Sequence, residues 1–113
     1  MKGPQDQTVR VTFDPDATPQ FTFDPESVRM TAAGKVVLAQ HPASARWVFR
    51  GANVKDDTLH EFHSVVEGNG NSMHIDDEFR DRTRTSYSYN VTVALDGSTV
   101  TSPDPVIVND PGA

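Results

Sequence analysis

The sequence predicts an all-β protein, an antiparallel Greek-key β-sandwich with about seven to nine short strands. Apolar residues recur at every second position in several short segments, which is the period of a half-buried strand. Turn-forming residues separate these segments about every 8–12 residues, the spacing that is typical of a sandwich. The chain has 113 residues, which is enough for one domain with its own core.

The clearest strand signal lies in residues 87–95, where Tyr or an aliphatic residue occupies every second position. Asp96-Gly97 follows directly and is a strong signal for a tight hairpin turn. We therefore expect Val100 to lie on the partner strand, with Val106 and Val108 continuing it after an interruption at residues 102–105.

Alternation predicts further strands at residues 9–13, 21–23 and 28–30, and short apolar segments predict strands at residues 35–40, 47–49 and 73–76. Residues 59–67 could be a strand or a turn of helix, and Val65-Val66 with the Gly/Asn loop at residues 68–71 favour a strand. The continuous apolar run at residues 36–39 predicts a central strand that is covered on both faces. Gly51 is expected to close the strand that holds Trp47 and Phe49, and both aromatic side chains are expected in the core. The polar segment 77–86 is interpreted as a crossover loop.

The same pattern divides the chain into a flexible N-terminal segment (residues 1–8), one sandwich domain (residues 9–109) and a C-terminal tail (residues 110–113). The N-terminus lacks the apolar run of a signal peptide, and no segment approaches the ~20 apolar residues of a membrane helix. We expect a soluble protein that is cytoplasmic by default. A periplasmic or secreted protein whose signal was removed is the alternative.

Composition limits the function further. The chain holds 16 acidic and 10 basic residues, a formal net charge of −6, which argues against binding to nucleic acids and to anionic membranes. It contains no cysteine. Disulfides, thiolate nucleophiles and cysteine-ligated metal sites are therefore excluded.

Two stretches and a repeated dipeptide carry a family resemblance. Residues 23–37 look like the opening of a cupredoxin, and Tyr-x-Tyr-x-Val-x-Val at residues 87–93 resembles the penultimate strand of immunoglobulin-like domains. With these two stretches and its recurring Asp-Pro dipeptides, the chain resembles the bacterial DP-EP family over roughly residues 9–109. The resemblance implies an immunoglobulin- or cupredoxin-like sandwich without an assigned activity, in which a Tyr hydroxyl bonds the backbone. The type I copper of cupredoxins needs a thiolate, which this chain lacks.

Three histidines are the candidate metal ligands: His60, His63 and His74. On a helix, His60 and His63 would face one side, whereas on a strand they would point to opposite faces. His74 lies across the predicted hairpin and could join one of them, and three nitrogen ligands would suit zinc, nickel or copper(II). The alternative is that these are polar residues of a solvated strand face.

The acidic residues of segment 76–81 are interpreted as a solvated surface that Arg80, Arg82 and Arg84 partly neutralise, with weak calcium binding as the alternative.

No catalytic motif is present, neither a Gly-x-Ser-x-Gly elbow nor a phosphate-binding loop. We therefore expect a non-enzymatic binding or structural module, without a cofactor, that contacts a protein partner through a sheet edge or through end loops. The first alternative is a mononuclear metal-binding domain built on the histidines. The second is a small hydrolase assembled from scattered Ser, His and Asp residues. The sequence does not determine the oligomeric state.

Overall fold

The computed structural model describes residues 6–112, and within that range the chain forms strands and no helices. The strands, in chain order, are β1 Gln7–Phe13, β2 Phe21–Asp24, β3 Ser27–Met30, β4 Gly34–Gln40, β5 Val48–Val54, β6 Phe62–Glu67, β7 Ser72–Asp77, β8 Thr85–Leu95, β9 Ser98–Thr101 and β10 Val106–Asn109. None of the described residues belongs to a helix that could span a membrane.

The strands form two sheets, which confirms the predicted β-sandwich. The first sheet has the order β2-β1-β4-β7-β6, and the second has the order β3-β10-β8-β5 with β9 also paired to β8. The expectation of purely antiparallel sheets is wrong, because β1 pairs with β4 in parallel and β10 pairs with β3 in parallel. Parallel neighbours need a long connection between them, and for β1 and β4 this connection is the excursion through β2 and β3.

That excursion changes sheets at residues 24–26. β2 belongs to the first sheet and β3 to the second, so the chain crosses the sandwich at the Asp24-Pro25 bond and crosses back before β4. Proline supplies no backbone donor for a ladder, which suits a position between two strands. The strands predicted at residues 21–23 and 28–30 leave this dipeptide between them, and the structure confirms the break.

Several strand limits differ from those predicted. β1 begins at Gln7 rather than Val9, and residues 1–5 of the expected flexible segment lie outside the described residues, as does Ala113 of the expected tail. β5 continues through Gly51 to Val54, because the strand accommodates a register shift against β8 between Phe49 and Gly51 instead of turning. The predicted hairpin turn at Asp96-Gly97 is confirmed, with φ values of 51° and 81°.

The hydrophobic core lies between the two sheets. Trp47 and Phe49 are 3% and 1% exposed and meet edge to face with ring centroids 5.0 Å apart, which confirms their predicted place in the core. β4 is not covered equally on both faces, since Val36 and Leu38 are fully buried while Val37 and Ala39 are half-buried. The remaining buried core residues are Val9, Val11, Phe13, Phe21, Phe23, Val28, Met30, Met73, Ile75, Tyr89, Val91, Val93 and Ile107.

Candidate functional site

The three candidate histidines do not meet at one point. His60 precedes β6 in a turn, is exposed, and has a φ of 52°. His63 lies on β6 opposite Asp76 of β7, and His74 lies on β7 opposite Val65 of β6, so His63 and His74 share the outer face of the first sheet. The structure therefore brings two of the three histidines onto one surface and leaves His60 outside the strand pair.

His63 and His74 already contact carboxylates through their imidazole nitrogens. His63 Nε2 contacts Glu78, while His74 Nδ1 lies 2.9 Å from Glu67 and His74 Nε2 lies 3.3 Å from Asp76. Among residues 6–112, no group of three or more His, Asp or Glu side chains is arranged to hold a metal ion. The metal-binding interpretation of the histidines is not supported by this geometry.

A different polar group, which the sequence did not indicate, is buried between the sheets at one end of the sandwich. We call it the carboxyl cluster, and it consists of Glu61, Asp77, Asp81, Tyr87 and Asn109. The exposed fractions are 0% for Glu61 and Asn109, 2% for Asp77, 5% for Tyr87 and 8% for Asp81. The expectation that Asp77 and Asp81 lie on a solvated surface is therefore wrong.

The cluster joins elements that are distant in the chain. Glu61 directly precedes β6, and Asp77 is the last residue of β7, so both belong to the first sheet. Tyr87 and Asn109 come from β8 and β10 of the second sheet. Asp81 reaches in from the connection between β7 and β8, and the cluster thus ties the two sheets together where β6 begins.

Asn109 lies at the centre of the cluster. Its Nδ2 amide has two hydrogens and lies within hydrogen-bond distance of three acceptors, Glu61 Oε1 at 3.1 Å, Asp77 Oδ1 at 3.1 Å and Asp81 Oδ1 at 2.7 Å. Backbone amides add two further donors, from Arg80 to Glu61 Oε1 at 2.9 Å and from Phe79 to Asp77 Oδ1 at 2.9 Å. The amide nitrogen of Asn109 therefore occupies the point on which the three carboxyl groups converge.

The contacts of the Tyr87 hydroxyl are compatible with a proton on Glu61. The Tyr87 hydroxyl lies 2.5 Å from Asp81 Oδ2 and 3.1 Å from Glu61 Oε2, but a phenol carries only one hydrogen to donate. The shorter contact is the one to Asp81, so Tyr87 donates there. A protonated Glu61 would donate from Oε2 to the Tyr87 oxygen and so satisfy the second contact.

The local electrostatics agree with this assignment. Burial, followed by the carboxylate of Asp81, raises the pKa of Glu61 from 4.5 to about 7. Burial raises the pKa of Asp77 from 3.8 to about 6, although donors from Phe79 and Asn109 oppose it. Burial alone would also raise the pKa of Asp81, but its interactions with Glu61, Tyr87 and Asn109 outweigh burial and lower that pKa.

The Tyr hydroxyl that the family resemblance implied is present but has other partners. Tyr87 bonds the carboxyl groups of the cluster rather than backbone, and the Tyr89 hydroxyl is buried without a partner among the described residues. A sequence signal for the cluster did exist at Asn109, which continues the inward alternation of Ile107 and so places an amide where an apolar side chain is normal. Nothing in the local pattern marked Glu61, because its burial depends on the opposite sheet.

The surface beside the cluster is the free side of β6, which we call the β6 edge and which consists of Phe62–Glu67. β6 is the last strand of its sheet, and five of its six residues are exposed. The large hydrophobic side chains that are exposed within residues 6–112 are Leu59 at 41%, Val65 at 45% and Val66 at 39%, and all belong to this edge or to the turn before it. Hydrophobic exposure is thus concentrated at one place on the described surface.

A slot runs between β5 and the β6 edge, where the two sheets stand apart. Its volume is about 230 Å³, and Asn53 of β5, Asp57 of the turn and Ser64 of β6 supply its polar lining. Ser64 Oγ bridges the slot to the Ala52 carbonyl at 3.3 Å. An extended chain that pairs with β6 would place every second side chain at the mouth of this slot.

Comparison with known proteins gives a family. A family model described as the DP-EP family matches residues 5–111. Among solved structures, an NMR structure of a protein from Bacteroides thetaiotaomicron matches with 14% sequence identity and a TM-score of 0.41, and the match covers 96% of this chain and 90% of that chain. No curated protein sequence matches the chain.

Proposed function

The chain belongs to the DP-EP family, and we propose that it is a non-enzymatic binding module that captures an extended segment of a partner protein along the β6 edge. The observation that carries the proposal is the concentration of exposed hydrophobic side chains on an edge strand. On one side, the backbone of this strand pairs with no strand among residues 6–112. A partner strand would gain main-chain hydrogen bonds from β6 and would cover Val65 and Val66.

The β6 edge lacks several of the features that normally block such pairing. Soluble proteins protect edge strands with Lys, with Pro, with a bulge or by making the strand very short. β6 has six residues, contains neither Lys nor Pro, and pairs with β7 without a register shift. At the opposite edge of the same sheet, β2 has four residues and is followed by Pro25.

The carboxyl cluster supports a binding function more than a catalytic one. Glu61 has a pKa near neutrality, which would suit a general acid or base. Its side chain is fully buried, however, and a catalytic group must come within hydrogen-bond reach of the substrate. We assign the cluster a structural role, which is to hold the start of β6 against the second sheet.

The test is site-specific photocrosslinking in cells that produce the protein naturally. We expect a photoreactive residue at Val65 to form an adduct with one partner protein, and we expect Val66→Lys to abolish the adduct because a charged side chain protects the edge. The matched control is the same photoreactive residue at Thr22, an exposed position on the opposite edge strand β2. Equal adducts at Val65 and Thr22, or none at Val65, would contradict the proposal.

An enzymatic function has its own test. A broad substrate screen that found saturable turnover, abolished by one point substitution that leaves the fold intact, would show that the protein is an enzyme. We expect no such turnover.

A further inference from the structure

Acidic side chains surround the β6 edge. Glu67 ends the strand, Asp76 faces outward on β7 opposite His63, and Glu78 follows β7 immediately. Asp57 lines the slot on the inner side of the same edge. An added strand would therefore meet carboxylates on its outer face and one more at the slot.

Few basic groups compensate these charges. Arg80 donates to Glu78 at 2.5 Å, and His63 also contacts Glu78, so both act on the same carboxylate. His74 lies between Glu67 and Asp76, with Nδ1 2.9 Å from Glu67 and Nε2 3.3 Å from Asp76. Lys35 of β4 lies opposite Asp76, one strand further from the edge. Asp57 accepts hydrogen bonds from the backbone amides of Glu61 and Phe62, and no ion pair to it occurs within the described part of the chain.

This charge distribution distinguishes between two occupants of the β6 edge, a second copy of the chain and a basic segment of another protein. A second copy would bring the Glu67, Asp76 and Glu78 side chains of both chains to one junction, and each chain carries a formal net charge of −6. Like charges at a junction oppose pairing, whereas opposite charges both orient and stabilise it. A basic segment is therefore the complementary partner.

Resting on the proposed function, we propose that the occupant of the β6 edge is an extended basic segment of a partner protein, in which Lys or Arg alternates with small polar residues. The basic side chains lie over Glu67 and Asp76 on the outer face. The small polar side chains point to the slot beside Asn53 and Ser64, whose lining offers hydrogen-bonding groups rather than a hydrophobic pocket.

The experiment uses three ten-residue peptides that alternate Thr with Lys, with Gln or with Glu, and it follows the backbone amide resonances of the full chain by NMR. We expect the Thr-Lys peptide to shift the resonances of residues 62–67 and to bind about ten-fold more tightly than the Thr-Glu peptide. Raising the ionic strength from about 0.05 M to about 0.5 M should weaken the Thr-Lys complex, because salt screens exposed charges.

Charge-neutral variants test the residues named. The double change Glu67→Gln with Asp76→Asn should weaken binding of the Thr-Lys peptide by about two- to ten-fold, since each exposed pair contributes modestly. The control pair Glu26→Gln with Asp16→Asn removes two exposed charges far from β6 and should leave the affinity unchanged. Both variants keep the side-chain volumes nearly constant.

Three outcomes would overturn the inference. The first is equal binding of the Thr-Gln and Thr-Lys peptides at residues 62–67, which would leave edge capture intact and remove its charge preference. The second is the absence of shifts at residues 62–67 with the Thr-Lys peptide at millimolar concentration. The third is a stable dimer that Val65→Lys converts to a monomer, which would make a second copy the occupant. Crosslinking at Val65 reports separately on the proposed function.

Discussion

Tyr87 and Tyr89 take successive inward positions on β8, yet their hydroxyl groups have different surroundings. The Tyr87 hydroxyl bonds Glu61 and Asp81, whereas the Tyr89 hydroxyl is buried without a partner among residues 6–112. Both rings are buried, at 5% and 0% exposure. The two residues therefore separate the contribution of a phenol hydroxyl from that of its ring.

We expect Tyr87→Phe to lower the free energy of unfolding by about 1–3 kcal/mol, because it leaves buried carboxyl oxygens without their donor. Tyr89→Phe should change that free energy by less than about 0.5 kcal/mol or increase it, since it removes a buried hydroxyl that has no bond. Urea denaturation of both variants at pH 5 makes the comparison. Equal losses in the two variants would show that the hydroxyl contacts of Tyr87 contribute nothing.

At the scale of elements, the loop between β6 and β7 is fixed against β5. Gly70 has a φ of 89°, and its carbonyl accepts a hydrogen bond from the Phe49 amide at 2.7 Å. A Cβ atom on Gly70 would lie 2.9 Å from Val48 Cβ and 3.0 Å from the Phe49 carbonyl oxygen. The sequence predicts a hairpin loop here, but its contact with β5 comes only from the tertiary structure.

Gly70→Ala should destabilise the protein by more than Gly97→Ala. Both positions have positive φ, which costs an L-residue about 1–2 kcal/mol. A Cβ atom on Gly97 would meet no other atom within 4 Å, so that substitution isolates the backbone cost, while Gly70→Ala adds the clash with β5. Thermal unfolding of both variants gives the difference, and a Gly97→Ala loss equal to or greater than the Gly70→Ala loss would refute the clash.

The β6 edge and the carboxyl cluster are neighbours along the chain. Glu61 is fixed by the cluster, and β6 begins at the next residue. This arrangement holds one end of an exposed edge strand in place, so on the proposed function the strand would be ordered before a partner pairs with it. Such preorganisation lowers the entropic cost of binding.

The immunoglobulin- or cupredoxin-like relationship implied by the sequence resemblance stays a prediction.

For the molecule as a whole, the buried carboxyl groups make stability depend on pH. Glu61 and Asp77 bind protons more tightly in the folded state than in the unfolded state, with folded pKa values of about 7 and about 6. Their stabilising contribution is complete below the unfolded values of 4.5 and 3.8 and is lost as pH rises to about 7. Asp81 acts in the opposite sense, and its contribution is lost as pH falls through its lowered pKa.

We therefore expect the free energy of unfolding to decrease between about pH 4.5 and pH 7. The contribution of Glu61 to this decrease is at most about 3.5 kcal/mol, at ~1.4 kcal/mol per pKa unit. Glu61→Gln resembles the protonated acid and should flatten this decrease. Urea denaturation from pH 4.5 to pH 8 tests both statements.

Salt and calcium serve as controls for that measurement. The decrease should persist in about 0.5 M NaCl, because salt screens the surface charges far more than buried groups. An unfolding free energy that is constant across this pH range would contradict the assignment of a proton to Glu61. Recovery of stability at pH 8 by millimolar calcium would show that a cation, rather than a proton, neutralises the cluster.

The sequence by itself determined the class of fold, most strand positions and much of the core. These follow from local causes, since alternation in residues 87–95 buries one face of a strand and Asp96-Gly97 favours a tight turn wherever the strand lies. The tertiary structure decided the parallel pairing of β1 with β4, the burial of Asp77 and Asp81, and the separation of the histidines. Each depends on which distant segment lies alongside, and whether a carboxyl group is buried or solvated is set by the opposite sheet rather than by its neighbours in the chain.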